Sequence, residues 1–361
     1  MRHLAKKIGV ILGTRPEIIK MSPVIKELLL RRVDLFILHT GQHYSYNLDG
    51  IFFKQLEIPN PKFNLHSGSG THAEETAKML VGIEKILVEE QPDAVLVEGD
   101  TNTVLAGALA AAKLQIQIGH IEAGLRSHDM TMPEEINRVI VDHISDYLFA
   151  PTKISRSNLI QEGISPHKVT ITGNTIVDAL EDITARSSAD FKVRRVTRYV
   201  VLTLHRQENT EDPSRLRSIM KGVERFSDET RLPVYFLVHP RTKKKLHAMR
   251  LATGGLVRME NPVGYVEFIN MLKNATLVFT DSGGVQEEAC ILRVPCVTLR
   301  WNTERPETVE IGANAVAGTS ANSILNSAQM MIRKEKNWMN PFGDGHAAQR
   351  IASIVLHRAW K

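Results

Sequence analysis

Short runs of β-branched and apolar residues alternate along this chain with longer stretches whose apolar positions recur every three to four residues. Residues 8–12 are continuously apolar apart from one glycine, the pattern of a strand buried on both faces. A glycine turn follows, and a helix is expected over about 16–32. Pro16 suits its first turn, where a missing N–H costs nothing. Residues 34–39 give the next strand. Thr71 and Glu74 have capping-box spacing and open a helix to about residue 90. Residues 94–97, 116–121 and 147–150 read as further strands, with helices over about 103–113 and 134–144. Alternation of this kind predicts a parallel sheet covered on both faces.

The pattern restarts after about residue 185. Residues 199–204, 234–238, 277–280 and 296–299 read as strands, each near a helix. The polar, weakly patterned stretch 187–198 lies between the two series as a linker or surface segment. The fold class is therefore α/β, with two Rossmann-like domains whose parallel sheets face a central cleft. Residues 1–170 are expected to form the first domain and 171–344 the second. A final helix, after the Asn340-Pro-Phe-Gly-Asp-Gly345 turn, is expected to pack back on the first domain over 345–361.

A length of 361 residues also favours two domains. Lys and Arg total 45 against 40 Asp and Glu, a small excess spread along the chain. The densest basic run, residues 241–245, reads as a solvated helix face, and aromatic content of 6% is too low for a basic stripe interleaved with stacking rings. Nucleic acid is thus not an expected partner. The two cysteines, Cys290 and Cys296, match no zinc or redox spacing and make no disulfide framework, which points to a reducing, cytoplasmic setting. The longest low-polarity run, 104–112, is too short to span a bilayer.

Chemistry is expected where strands end, because ligands of open α/β sheets sit there. Gly13 to Lys20 leaves a strand and enters a helix, whose N-terminus, with Arg15 and Lys20, would favour an anion. Ser282, Gly283 and Gly284 form a second such turn. Its glycines let a phosphate approach the backbone, and Glu288 one turn later could accept from ribose hydroxyls. Asp281-Ser282 is equally a helix cap. Asp100, Glu122 and Glu134 lie at or after strand ends of the first series and are candidate general acids or bases. Asp100 could instead cap the following helix, and Glu134 could pair with Arg138. His205 stands at the first strand exit of the second series, beside Arg206 and Glu208. No GxxxxGK phosphate loop is present. The Gly68-to-Ala73 stretch fits GxGxxA but follows no convincing strand, so NAD is not expected. His39 and His43 do not share a helical face, so no metal is expected either.

These segments, in this order, resemble the non-hydrolysing UDP-N-acetylglucosamine 2-epimerases, archaeal branch. The resemblance covers nearly the whole chain: GTRPEIIKMSP, GQH, EGDTNTVLAG, EAGLR, MPEEINR, GNTIVDA, HRQEN, DSGGVQEEA, NTERPE and NPFGDG. It implies a GT-B-like pair of Rossmann domains, a homodimer and a place in polysaccharide biosynthesis. The implied activity is reversible epimerisation at carbon 2 of UDP-N-acetylglucosamine, through UDP elimination to a glycal and re-addition, with no cofactor. Residue by residue, it implies that Asp100, Glu122 and Glu134 are catalytic acids and that His205 lies at the diphosphate. Arg15 and Lys20 would line the site. Ser282, Gly283 and Gly284 would bind phosphate, Glu288 the ribose, and Arg305 would be a further binding arginine. Phe268 would lie beside the uracil. The neighbouring uracil contact falls on Val263, where the side chain differs from bacterial members, so the backbone would make it. Gln42 and His43 match part of a second, activating nucleotide-sugar site of bacterial members. The rival readings are a hydrolysing epimerase, a glycosyltransferase and an inactive nucleotide-sugar sensor.

Overall fold

The structure is a computed structural model that describes residues 6–41, 46–68, 70–186, 198–238, 240–249 and 254–357. The chain divides into two compact units, residues 1–181 with 342–361, and residues 182–341.

The first unit runs β1 (Lys7–Leu12), α1 (Arg15–Leu30), β2 (Asp34–His39), α2 (Tyr46–Gln55), β3 (Phe63–Asn64), α3 (His72–Glu90), β4 (Ala94–Glu98), α4 (Asn102–Lys113), β5 (Gln117–Ile121), α5 (Pro133–Ile144), β6 (Tyr147–Ala150), α6 (Lys153–Gln161), β7 (Val169–Ile171) and α7 (Thr175–Arg186). Its seven strands pair in the order β3-β2-β1-β4-β5-β6-β7, all parallel. Parallel pairing puts every strand's carboxyl end at one edge, so the loops after β1, β4 and β5 emerge side by side.

Local chemistry starts and ends these elements where the sequence suggests. Thr71 accepts from the Glu74 amide and Glu74 accepts from the Thr71 amide, closing the expected capping box of α3. Pro23 lies inside α1 and removes an N–H from the helical ladder. The hydroxyl of Ser22 donates at 2.8 Å to the Ile19 carbonyl that this N–H would have served. The core of this unit packs Ile11, Leu38, Val95 and Val97 of the sheet against Met79, Ile83 and Leu87 of α3 and the alanine-rich α4.

The second unit runs β8 (Val200–Thr203), α8 (Gln207–Thr210), α9 (Pro213–Thr230), β9 (Val234–Leu237), α10 (Pro240–Ala248), β10 (Val257–Glu260), α11 (Tyr265–Lys273), β11 (Leu277–Thr280), α12 (Gly283–Ile291), β12 (Cys296–Thr298), α13 (Pro306–Glu310), β13 (Asn314–Val316) and α14 (Ala321–Met331). Six parallel strands order as β10-β9-β8-β11-β12-β13. Both units are thus Rossmann-like α/β layers.

The chain then returns to the first unit through α15 (Ala347–His357), which packs on α1. Arg31, the C-cap of α1, donates to the Ser353 hydroxyl at 2.8 Å, and Lys6 donates to the Leu356 carbonyl at 2.6 Å. The first unit extends to Glu181, beyond the boundary read at residue 170. The reason lies in the Gly173–Asn174 turn and the start of α7. The Asn174 amide donates to the Phe342 carbonyl at 2.7 Å, and Asp178 accepts the Ala347 and Ala348 amides.

Candidate active site

The first set of functional groups is built on the carboxyl edge of the first sheet. At the exit of β1, Glu17 folds back on its own helix start. Its Oε2 accepts the Gly13 amide at 2.5 Å and the Thr14 amide at 3.2 Å, and its Oε1 accepts the Thr101 hydroxyl at 2.6 Å. The anion expected at this turn is therefore matched, at these two amides, by the chain's own carboxyl group. Burial pushes Glu17 up to about 7, against the lowering effect of those hydrogen bonds.

Lys20, one turn further along α1, is buried. Its ammonium forms a short contact with Glu122 Oε2 and lies 3.5 Å from Glu98 Oε1. Asn174 Nδ2 donates to the same Glu122 oxygen at 3.0 Å. Glu122 sits at φ 68°, in the left-handed region that costs a residue with a Cβ about 1–2 kcal/mol. Glu98, the last residue of β4, is raised well above the ordinary carboxylate range. Burial is the main cause; the charges of Glu122, Glu17 and Asp100 add to it and Lys20 opposes it. One ammonium thus serves two buried carboxyl groups, with Asp100 and Glu17 close enough to be felt electrostatically.

Asp100 is held by α5. Arg138 donates to its Oδ2 from Nε at 2.9 Å and from Nη2 at 2.6 Å, while Asn137 donates to its carbonyl at 2.9 Å. The helix cap that Asp100 could have made belongs to Thr101, whose hydroxyl accepts the Val104 amide. Glu134 lies half-buried in the first turn of α5. Its neighbour Glu135, not read as important in the sequence, receives Arg138 Nη1 at 2.5 Å and the amides of Ser127 and His128. Arg15 is exposed, with its guanidinium 5.2 Å from the centre of the Phe52 ring.

The second set lies on the carboxyl edge of the other sheet. Asp281, fully buried, follows β11 and gathers the β8 exit around itself. It accepts the amides of His205 at 3.1 Å and Arg206 at 3.0 Å, and Asn209 Nδ2 at 3.2 Å. His205 Nδ1 lies 3.0 Å from Asp281 Oδ1 while half of the His205 side chain stays exposed. Burial pushes the Asp281 carboxyl up, but His205, the Arg206 amide and Asn209 together outweigh it and hold the group below its ordinary value. The Asp281–Nδ1 tie orients the ring and makes Nε2 the nitrogen available for other work.

Ser282 caps α12, its hydroxyl accepting the Val285 amide. A Cβ at Gly284 would meet only Ser282 Oγ, at 3.9 Å, so the approach to this helix start is open. Glu288 accepts the Tyr265 hydroxyl at 2.8 Å. Burial and the neighbouring Glu288 charge raise that phenol well above its ordinary value. Arg305 forms a short ion pair with Glu287, and Arg300 donates from both terminal nitrogens to Glu304 at 2.9 Å. Val263 precedes the Gly264 cap of α11, and Phe268 packs, partly buried, against the apolar cluster of Leu272 and Val278.

A family model for UDP-N-acetylglucosamine 2-epimerase matches residues 27–356. The chain belongs to the UDP-N-acetylglucosamine 2-epimerase family. Members of this family are isomerases. Similarity to the UDP-N-acetylglucosamine 2-epimerase of Methanocaldococcus jannaschii reaches 51% identity over 362 residues, 97% of this chain and 99% of that one. The crystal structure of the Methanocaldococcus jannaschii enzyme in complex with UDP-GlcNAc and UDP superposes with a TM-score of 0.92 at 52% identity, covering 98% of this chain and 100% of that one. The UDP-2,3-diacetamido-2,3-dideoxy-D-glucuronate 2-epimerase of Pseudomonas aeruginosa is 42% identical over 353 residues, 97% of this chain and 99% of that one. The archaeal character read from the sequence agrees with the first two of these.

Against this epimerase frame, the fold brings Lys20, Asp100 and Glu122 together at one sheet edge, and His205 with the Ser282 turn at the other. Sequence reading missed Glu17, Glu98, Asn174 and Asp281 as members of these sets. Glu98 carries a usable signal, an acid closing an otherwise apolar five-residue strand. Gln42 and His43 lie outside the described residues, as does Ser69 of the glycine-rich stretch. Among the described residues, no group of three or more His, Cys, Asp or Glu is placed to hold a metal ion.

Proposed function

We propose that this protein reversibly epimerises UDP-N-acetylglucosamine to UDP-N-acetylmannosamine without hydrolysis. The observation that carries the reading is the Lys20-centred cluster: buried carboxyl groups sharing one ammonium, at the sheet edge where ligands of such folds bind. Carbon 2 of the sugar has no adjacent carbonyl, so its proton is not acidic as it stands. Its neighbour, carbon 1, carries UDP, a good leaving group. Loss of the carbon 2 proton to a carboxylate and cleavage of the carbon 1–oxygen bond give a glycal and UDP, the bonding pair leaving on the diphosphate oxygen. Proton return to the opposite face of carbon 2 and attack of that oxygen on carbon 1 give the epimer.

Two faces require two proton-handling groups, which Asp100, Glu122 and Glu134 supply between them. Charge on the departing diphosphate is met by His205 and the Ser282-Gly283-Gly284 turn, whose donors are held by the second unit before the charge develops, and Arg15 is a further cation for the substrate. Glu288, Arg305, Phe268 and the Val263 backbone hold the uridine side. The protein works as a homodimer in the cytoplasm; no helix among the described residues is long and apolar enough to cross a membrane.

A second reading takes a modified UDP sugar as substrate, favoured by the 42% identity to the diacetamido-glucuronate epimerase. Few contacts separate such sugars. Incubation with each sugar in turn, followed by chromatography of the nucleotide sugars, decides between them. We expect the manno epimer from UDP-N-acetylglucosamine at a kcat/KM at least roughly tenfold above that for the diacetamido-glucuronate. The reverse ranking would establish the second reading.

A further inference from the structure

A charged network with no part in the proposed proton transfers lies directly behind the acid-bearing loops. His120 of β5 and Asp142 of α5 are both 0% exposed, and Arg126 beside them is 1% exposed. His120 Nε2 lies 2.9 Å from the Gly99 carbonyl oxygen, and Nδ1 lies 2.7 Å from Asp142 Oδ1. A carbonyl oxygen carries no hydrogen, so Nε2 donates. The state of Nδ1 depends on Asp142. Its Oδ2 accepts the Gly124 amide at 3.1 Å and lies 2.8 Å from Arg126 Nη1. The Gly124 amide and the Arg126 guanidinium both favour the ionised form of this buried carboxyl group, independently of His120. An ionised carboxylate only accepts, so Nδ1 also donates. The charges balance, because Arg126 also donates to Glu162 from Nε at 2.7 Å and from Nη2 at 2.6 Å.

We infer that His120 is a buried imidazolium and a positioning residue, tying the Gly99–Asp100 peptide to the Glu122–Gly124 connection through Asp142. Gly99 is left-handed at φ 84°, a conformation that leaves the loop no intrinsic preference for the placement seen. The imidazolium grips its carbonyl one residue before Asp100. Asp142 grips Gly124 two residues after Glu122. The backbones that carry the two acids are thereby tied to each other through one ion pair, in addition to the contacts that Arg138 and Lys20 make with the acid side chains. This role rests on the proposed function, in which Asp100 and Glu122 act on one sugar carbon.

The test is a two-bond proton–nitrogen correlation spectrum of the full chain labelled with 15N histidine, recorded at neutral pH and assigned by loss of the His120 signals in His120→Gln. Both ring nitrogens of His120 are expected to carry protons. A bare ring nitrogen overturns the assignment of charge. In Asp142→Asn the imidazolium loses its counter-ion, and the ring is expected to become the neutral tautomer protonated on Nε2. With melting unchanged, kcat for epimerisation should fall by roughly 10- to 100-fold, as for a small misplacement of reacting groups, with KM within about threefold. An unchanged kcat in a folded variant overturns the positioning role. Should Asp142→Asn not fold, His120→Gln, which keeps a donor toward Gly99, gives the same kinetic reading. A wild-type protein without epimerase activity would refute the proposed function, while the nitrogen spectrum still decides the charge of His120.

Discussion

A carboxyl group taken out of water keeps its charge only where something shares it. At Lys20 one ammonium faces Glu98 and Glu122, so the cluster cannot hold both carboxylates ionised as cheaply as one. Glu98 is the group pushed up, chiefly by burial, while Glu122 makes the shorter contact with the ammonium and is the base in the proposed mechanism. Replacing Glu122 by Gln keeps its shape and its hydrogen bond from Asn174 but removes the base. Turnover should fall on the order of 100-fold or more while UDP-N-acetylglucosamine still binds, as read by steady-state rates beside calorimetric titration. Near-normal turnover would remove Glu122 from the mechanism.

Glu17 makes a separate prediction about pH. Its folded value of about 7 lies above the ordinary carboxylate value of 4.5, so the native chain holds this proton longer than the unfolded chain does. Native protein then binds more protons in between, and stability falls as pH rises from about 4.5 to about 7, by on the order of 3 kcal/mol. Urea midpoints across this range should decline for wild type relative to Glu17→Gln; a difference independent of pH would contradict the assignment. The residue-level chemistry legible in the sequence was that of acids, histidine and glycines at strand exits. Glu98 and His120 stayed hidden because their partners come from elsewhere in the chain, whereas Glu17 carried a local signal, its capping-box spacing from Thr14, that went unread. The Lys20–Glu122 contact, for instance, spans 102 positions.

At the scale of elements, continuous apolar runs identified the central strands, whose burial on both faces leaves few polar residues in them. The short strands β3, β7, β10 and β13 lacked that signal. All four lie at sheet edges, and the two- to four-residue runs are too brief for periodicity to register. Their existence follows from pairing, as when Leu38 and His39 of β2 recruit Phe63 and Asn64. The connection after β5 shows the tightest demand on one residue. Gly124 has φ 83°, and a Cβ built there would overlap the Ser155 carbonyl oxygen at the start of α6. Gly124→Ala should therefore cost more than about 2 kcal/mol, combining backbone strain with displacement of α6. Thermal melting checks this, and a loss below about 0.5 kcal/mol, the size of an ordinary surface change, would show that the connection yields.

For the whole molecule, two parallel α/β units were legible from the repeated alternation of strands and helices, because each βαβ step writes its own pattern into the sequence. The end of the first unit was harder to see. Asn174 and the start of α7 belong to it through contacts with Phe342, Ala347 and Ala348, which no local pattern announces. The same turn brings Asn174 to Glu122, so the closing segment of the chain supports the site it returns to. Family membership fixes the reaction class as isomerisation, and the acid cluster supports proton exchange at one sugar carbon as its chemistry. The most direct measurement is proton NMR of the purified protein with UDP-N-acetylglucosamine in heavy water, with neither NAD nor an acceptor added. The expected result is the UDP-manno epimer carrying deuterium at carbon 2. An epimer that retains the original hydrogen, or release of free UDP with N-acetylmannosamine, would contradict it.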